Sequence, residues 1–426
     1  MEGYLEILSL KLTASRINNP VEMIKRRDLL KKLSTLPIMG GLIGTPLAVG
    51  GTPSIVQAPV RDLFKELGLR TFINAAGTYT FMTGSLMPKE VSETIANSTS
   101  DFVNLDELQD KVGERIAEML ECEYATVSSG AFGAMTIGLA GVISGMDEKK
   151  VAQMPDLTGM KNEVIIQKGH NIGYTHALLN VGAKIVVIET AKELEKAINK
   201  QTAMLWFLNA NVEQGQIKWE EFVALGKKHN IPTFIDCAAD VPPVSNLFRF
   251  TKMGFDLVAF SGGKGIRGPQ SAGLLLGKKE YIKAARLHCP PRGSTIARGM
   301  KVNKEEILGM FIALELYLNK DHDKEWKLWE SQIEMIRASA ASVNGVTAKV
   351  HVPAQANHVP SLDVSWDNTK VKMTADDARK KLREGHPSIE TVGGKDHIGI
   401  TTWMLKPGQE NIVAKRLKEV LEEGAA

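Results

Sequence analysis

Lys264 lies between glycines in Phe260-Ser-Gly-Gly-Lys-Gly-Ile-Arg-Gly-Pro-Gln270, and Asp236 stands 28 residues upstream in Thr233-Phe-Ile-Asp-Cys-Ala-Ala-Asp240. A lysine amine condenses with a carbonyl to give a Schiff base, and once freed it is a base able to take a proton from carbon. In a bare surface turn the same lysine is only a solvated cation. A carboxylate closing an apolar strand can hold a protonated ring nitrogen, although an Asp there commonly caps a helix. The third element is Ser129-Gly-Ala-Phe-Gly133 at a strand-to-helix junction. There Ser129, Gly130 and Ala131 offer free backbone N–H groups and a positive helix end to a phosphate. Alone, such a turn is an ordinary cap.

The surrounding chain alternates strand and helix signals. Residues 123–127, 163–167, 184–189, 203–208, 232–236, 257–260 and 272–276 read as strands, with helical stretches such as 191–199 and 219–229 between them. Apolar strands separated by helices predict an α/β fold whose mostly parallel sheet is buried on both faces. Asp110 is the expected cap of a helix running to Cys122. Beyond about Lys283 the pattern changes to long helices at 304–320 and 324–344, then half-buried strands and two further helices. The expected organisation is a leader over 1–58, an N-terminal arm over 59–95, a large domain over 96–290 and a small C-terminal domain over 291–426. Two lobes suit this length, because single cores stop growing at roughly 250–300 residues.

With 43% hydrophobic residues, 24% charged residues and a net charge of +3, the chain has globular composition and no electrostatic bias toward nucleic acid. Cys122, Cys237 and Cys289 form no CxxC pair and no even set, so neither a disulfide framework nor a metal site is expected. Lys25-Arg-Arg-Asp-Leu-Leu-Lys31 precedes a glycine-rich apolar run over 33–49 and resembles a twin-arginine export signal. The address is then periplasmic or extracytoplasmic, the alternative being a basic leader that stays in the cytoplasm. Pro37 and Pro46 interrupt the run, so no stable membrane span is expected after processing. Met1 and Met23 both serve as candidate starts, and Val56-Gln-Ala58 as a candidate cleavage site.

The order of phosphate turn, strand-end Asp and Ser-Gly-Gly-Lys resembles the fold type I pyridoxal phosphate (PLP) enzymes, the aspartate aminotransferase superfamily. More narrowly, residues 261–277 are similar to the branch containing selenocysteine synthase (L-seryl-tRNA selenium transferase) and D-glucosaminate-6-phosphate ammonia-lyase. Ile73-Asn-Ala-Ala-Gly77, Arg298-Gly-Met-Lys-Val-Asn-Lys-Glu-Glu306, Leu382-Arg-Glu-Gly-His-Pro-Ser-Ile389 and Trp403-Met-Leu-Lys-Pro-Gly408 look like further segments of it. The resemblance implies PLP as cofactor, Lys264 as its attachment point and Asp236 as partner of the pyridine nitrogen. It also implies phosphate contacts from Ser129, Gly130, Ala131 and Ser261, and a ring-stacking place for His170. Arg267 and Arg298 become candidates for a substrate anion.

The implied reaction is α,β-elimination with ammonia release from a small amino acid or amino sugar acid. Aminotransferase or racemase chemistry, and a non-catalytic PLP-fold binding protein, are the alternatives. A homodimer or larger homo-oligomer is expected, because this family builds each site at a subunit boundary. Selenocysteine synthases carry an extra N-terminal tRNA-binding domain where this chain has its leader, so no nucleic-acid partner is expected. His397-Ile-Gly-Ile-Thr-Thr402 also lacks the Arg with which many fold type I enzymes hold a substrate carboxylate.

Overall fold

A computed structural model describes residues 61–425. The export signal, cleavage site and alternative start lie outside those residues. The strands among the described residues are β1 (Ile73–Asn74), β2 (Tyr124–Ser128), β3 (Glu163–Gln167), β4 (Lys184–Ile188), β5 (Thr202–Leu208), β6 (Thr233–Asp236), β7 (Leu257–Ser261), β8 (Gly273–Gly277), β9 (Val346–His351), β10 (Ser361–Trp366), β11 (Ile389–Glu390) and β12 (Ile398–Thr401). Seven of them form the main sheet in the order β2-β8-β7-β6-β5-β3-β4. Within that sheet β8 alone runs antiparallel to its neighbours.

This sheet is apolar on both faces. All seven residues of β5 are buried: Leu205 and Phe207 join the core on one side, Met204, Trp206 and Leu208 the core on the other. Alternate side chains feeding two cores explain why the strand reads as an unbroken apolar run. Helix α1 (Leu105–Met119) covers one face beside β2. It starts earlier than the expected Asp110, because the Asn104 side chain accepts from the Asp106 and Glu107 N–H groups and caps it there. Asp110 instead receives Arg286 Nη1 at 3.2 Å. On the other face lies α2 (Gly130–Ser144), buried nearly all round.

A second, three-stranded antiparallel sheet, β12-β10-β9, forms the smaller lobe. Its core is closed by α4 (His322–Ala341) and α5 (Gln409–Ala425). The preceding helix, α3 (Lys304–Leu318), sends Ile307, Met310, Ala313 and Leu314 into the core of the large sheet, although it lies beyond residue 290. The N-terminal arm belongs to the small lobe at one point: β1 pairs in parallel with β11, and Ile73 and Ala75 enter the small core. Among the described residues no helix is long and apolar enough to cross a membrane.

Candidate active site

The loop between β7 and β8 carries Lys264, and close backbone contacts fix its course. The Gly262 N–H donates to the Ala272 carbonyl at 2.8 Å and the Gly268 N–H to the Gly262 carbonyl at 2.8 Å. A Cβ on Gly263 would lie 2.3 Å from Gln270 Cα, and one on Gly265 would lie 2.0 Å from the Val241 carbonyl oxygen. Neither position has room for any side chain. The arm clamps the loop from outside, the Ser85 N–H donating to the Gly263 carbonyl at 3.0 Å. The glycines flanking Lys264 are thus the condition for holding the lysine at a fixed height between β7 and the loop after β6.

Lys264 lines a cavity of about 440 Å³ together with Gly130, Ala131, Asp236 and Ser261. Gly130 begins α2 with Ala131 next to it, while Asp236 and Ser261 end β6 and β7. The cavity therefore opens at the carboxyl ends of the strands, where open α/β sheets bind ligands. Tyr79 and Thr78 from the arm, Phe132 from α2, Gln270 and Asp240 from the large lobe, and Asn357 from the small lobe complete the wall. Sequence order gives no sign of Tyr79 or Asn357. Asp240 carries one signal, its place four residues after Asp236 on the same turn.

Burial dominates the electrostatics. It lowers the Lys264 amine below the ordinary lysine range, against the opposing pull of Asp236 and Asp240. Among the described residues no hydrogen bond or ion pair holds that amine. The Asp236 carboxyl is raised by burial, which outweighs the Ala238 N–H donated to its Oδ1 at 2.9 Å and the nearby Lys264 charge. Asp240, also mainly through burial, is pushed up to about 6.

Four expected residues stand elsewhere. His170 has no exposed surface, so it cannot stack on a ring in the cavity. Its Nδ1 accepts from the Leu208 N–H at 3.2 Å, and its ring meets Phe207 edge-on at 4.4 Å. Burial drops its pKa to about 4, so it is a neutral core residue behind the wall. Arg267 turns toward the small lobe, Nη2 donating to the Trp403 carbonyl at 2.6 Å and lying 3.6 Å from Glu325. Arg298 is half-buried outside the cavity wall. Ser129 occupies the N-cap position of α2 without capping it, and lines a separate small crevice with Gln109 and Arg286.

The residues that do meet suit pyridoxal phosphate, which combines a phosphate, an aldehyde and a ring nitrogen. The α2 N-terminus enters the cavity with no side-chain cap, and Gly130, at φ +66, leaves open space where a Cβ would meet nothing nearer than Ser271 O at 3.9 Å. An anion fits that end of the helix. Asp236, buried with a raised pKa despite the Lys264 charge, forms no ion pair among the described residues, and a protonated ring nitrogen supplies one. Lys264 offers a free amine to the aldehyde.

The model of the family described as L-seryl-tRNA selenium transferase (SelA) matches residues 72–373. The chain belongs to the L-seryl-tRNA selenium transferase family. Relatives of this SelA-family chain include the D-glucosaminate-6-phosphate ammonia lyase of Salmonella typhimurium, 29% identical over 85% of this chain and 99% of the lyase. Another is the 5'-C-glycyluridine monooxygenase-decarboxylase of a Streptomyces species, 26% identical over 84% of this chain and 92% of that protein. A solved structure of a D-glucosaminate-6-phosphate ammonia-lyase matches with a TM-score of 0.75 at 28% identity, covering 86% of this chain and 100% of that one. The SelA-family chain is thus a fold type I PLP-dependent enzyme, a lyase or transferase.

Proposed function

We propose that this enzyme is a lyase that removes ammonia from a β-hydroxylated amino acid or amino sugar acid by α,β-elimination. The observation that carries the reading is the 29% identity to an ammonia lyase over 99% of that lyase's length. When bound, PLP supplies an electron sink for the charge that develops on the substrate α-carbon. In this reading Gly130 and Ala131 hold the phosphate through their N–H groups, and Ser261 adds a hydroxyl beside them. Asp236 Oδ keeps the proton on the ring nitrogen. Lys264 Nζ, desolvated, would take the α-proton, and the β-hydroxyl would depart with a proton as water. The released enamine takes up water and gives a ketone and ammonia.

The test is to incubate the holoenzyme with a panel of amino acids and amino sugar acids, measuring ammonia, keto acid and oxygen, with and without an amino acceptor. The reading expects ammonia and keto acid in equal amounts with neither acceptor nor oxygen consumed. Dependence on an acceptor makes it an aminotransferase, and oxygen uptake makes it an oxidative decarboxylase.

Two further readings accompany this one. Leu67 and Phe102, both preceding α1, are 70% and 103% exposed, and large apolar side chains left open to this extent support a homodimer or larger assembly. Sedimentation at micromolar concentration distinguishes that from a monomer. The Arg26-Arg27 pair supports export, and an Arg26→Lys, Arg27→Lys variant exported as well as wild type would sink it.

A further inference from the structure

Arg267 stands at φ +60, in the left-handed region that a residue with a side chain adopts at a cost. Glycine would sit there freely, and the loop uses glycine at the neighbouring positions 262, 263, 265 and 268. What the arginine adds is reach. Its Nη2 donates to the Trp403 carbonyl at 2.6 Å and lies 3.6 Å from Glu325 Oε1 on α4. The Glu325 side chain is only 12% exposed and also pairs with Lys320, so the guanidinium meets a carboxylate largely shielded from water. A guanidinium carries several N–H groups in fixed directions, which lets it hold the carbonyl and the carboxylate together.

The backbone of the same residue is fixed to the lysine. The Arg267 N–H donates to the Lys264 carbonyl at 3.0 Å and closes the turn 264–267, while Ile266 between them is buried in the core of the large sheet. At the far end Trp403 is itself buried, packed with Trp329 and Val359. The two indoles meet edge-on with ring centroids 6.4 Å apart, and the Val359 N–H donates to the Asn357 carbonyl at 2.8 Å. Asn357 lines the Lys264 cavity from the small lobe. A continuous path of contacts therefore runs from the Lys264 backbone through Arg267 and Trp403 to the small-lobe wall of the cavity that holds the lysine.

We propose that Arg267 is a positioning residue, tying the Lys264 loop to the small lobe so that the Lys264 amine and the Asn357 wall keep a fixed spacing across the cavity. A base displaced from its substrate proton loses rate steeply, so loss of this tether slows the step that Lys264 performs and leaves the cofactor attached. The assignment rests on Lys264 as the attachment point. It holds for elimination, transamination and racemisation alike, because each takes the α-proton.

The test compares PLP-loaded wild type with Arg267→Gly, Arg267→Lys and Glu325→Gln. Glycine suits φ +60, so Arg267→Gly is expected to fold and to keep its borohydride label on Lys264. Its backbone amides at 267 and 268 are expected to exchange about tenfold faster, while those of β5 and β6 keep their wild-type rates. Alanine has no β-leaving group, so deuterium entering its α-carbon from heavy water reads proton transfer alone: Lys264 Nζ takes the hydrogen, exchanges it with solvent and returns deuterium. The maximal rate of this exchange is expected to fall about tenfold in Arg267→Gly, with the half-saturating alanine concentration within about threefold of wild type. Arg267→Lys and Glu325→Gln, each keeping part of the tether, are expected to lie between. Loop exchange that Arg267→Gly leaves unaltered would mean that Ile266 and the glycines hold the loop alone, and would overturn the proposal whatever the substrate. So would a raised half-saturating concentration at full maximal rate, the signature of an arginine that binds substrate, or faster exchange spread over the whole protein. Ammonia release that Arg267→Gly leaves at its wild-type rate would sink the tether and spare the lyase reading. No ammonia from any amino substrate, with the loop and deuterium effects as expected, would do the reverse.

Discussion

Asp240 Oδ1 accepts a hydrogen bond from the Ala356 N–H at 2.9 Å, and beside it the Ala239 carbonyl accepts from the Asn357 N–H at 2.7 Å. The turn that follows Asp236 thereby holds a small-lobe loop in the wall of the Lys264 cavity. Ala356 and Asn357 both stand at φ +49, a left-handed conformation that non-glycine residues adopt at a cost. Asp240→Ala leaves the Ala356 N–H without its partner, with an expected loss of about 1–3 kcal/mol and faster amide exchange over residues 354–357. Asp240→Asn keeps an acceptor oxygen and is expected to restore most of the protection. Equal exchange in all three proteins would contradict the role.

Gly265 meets the Val241 carbonyl with no space between them. Gly265→Ala places a Cβ 2.0 Å from that oxygen, so the Lys264 loop or the loop after β6 must shift. The expected cost is about 1–3 kcal/mol, read as a lower melting temperature, together with weaker retention of PLP after dialysis. Gly293→Ala is the control: nothing lies within 4 Å of its Cβ position, and the expected change is within about 0.5 kcal/mol.

Acid sensitivity has a local source far from the cavity. His288 is wholly buried, with Nε2 2.9 Å from Ser144 Oγ, and burial lowers its pKa to about 4 against the usual 6.5. In this window the unfolded chain binds a proton that the folded chain refuses, so the contribution of His288 is present above pH 6.5 and is lost as pH falls toward 4. By pH 5 the loss from this residue is about 2 kcal/mol. The buried Asp240 acts in the opposite direction, its raised carboxyl favouring the fold as pH falls through about 6. The sharp comparison is therefore between proteins differing only at position 288. Denaturant midpoints of His288→Gln are expected to fall less between pH 7 and pH 5 than those of wild type, and parallel curves would refute the assignment.

The fold was legible where burial on two faces made strands into apolar runs. The bounds of β3 coincide with its sequence signal over 163–167, and β6 and β7 deliver Asp236 and Ser261 where the order of motifs implied. The Lys89–Asn97 helix was not legible, since its apolar stripe is no more than Val91 and Ile95, one turn apart, and of its residues Val91 alone is buried. His170 shows the limit of position along the chain: it follows β3 where a stacking residue is expected, but its ring packs edge-on against Phe207. Arg267 follows Lys264 closely and still points away, because the carbonyl of Trp403, 136 residues later, accepts a hydrogen bond from its Nη2. Tyr79 and Asn357 come from the arm and the small lobe, and no local pattern announces a contact closed by tertiary packing.

Lys264 as the point of cofactor attachment is the claim on which the rest depends. Removing its amine is expected to cost roughly 10²–10⁴-fold in turnover from loss of the base alone, but activity is the less direct measure. The protein is saturated with PLP, reduced with borohydride, digested, and the labelled peptide located by mass. The account predicts a pyridoxyl label on Lys264, with a visible absorbance band that Lys264→Ala lacks. A label on another lysine, or none at all, would contradict it.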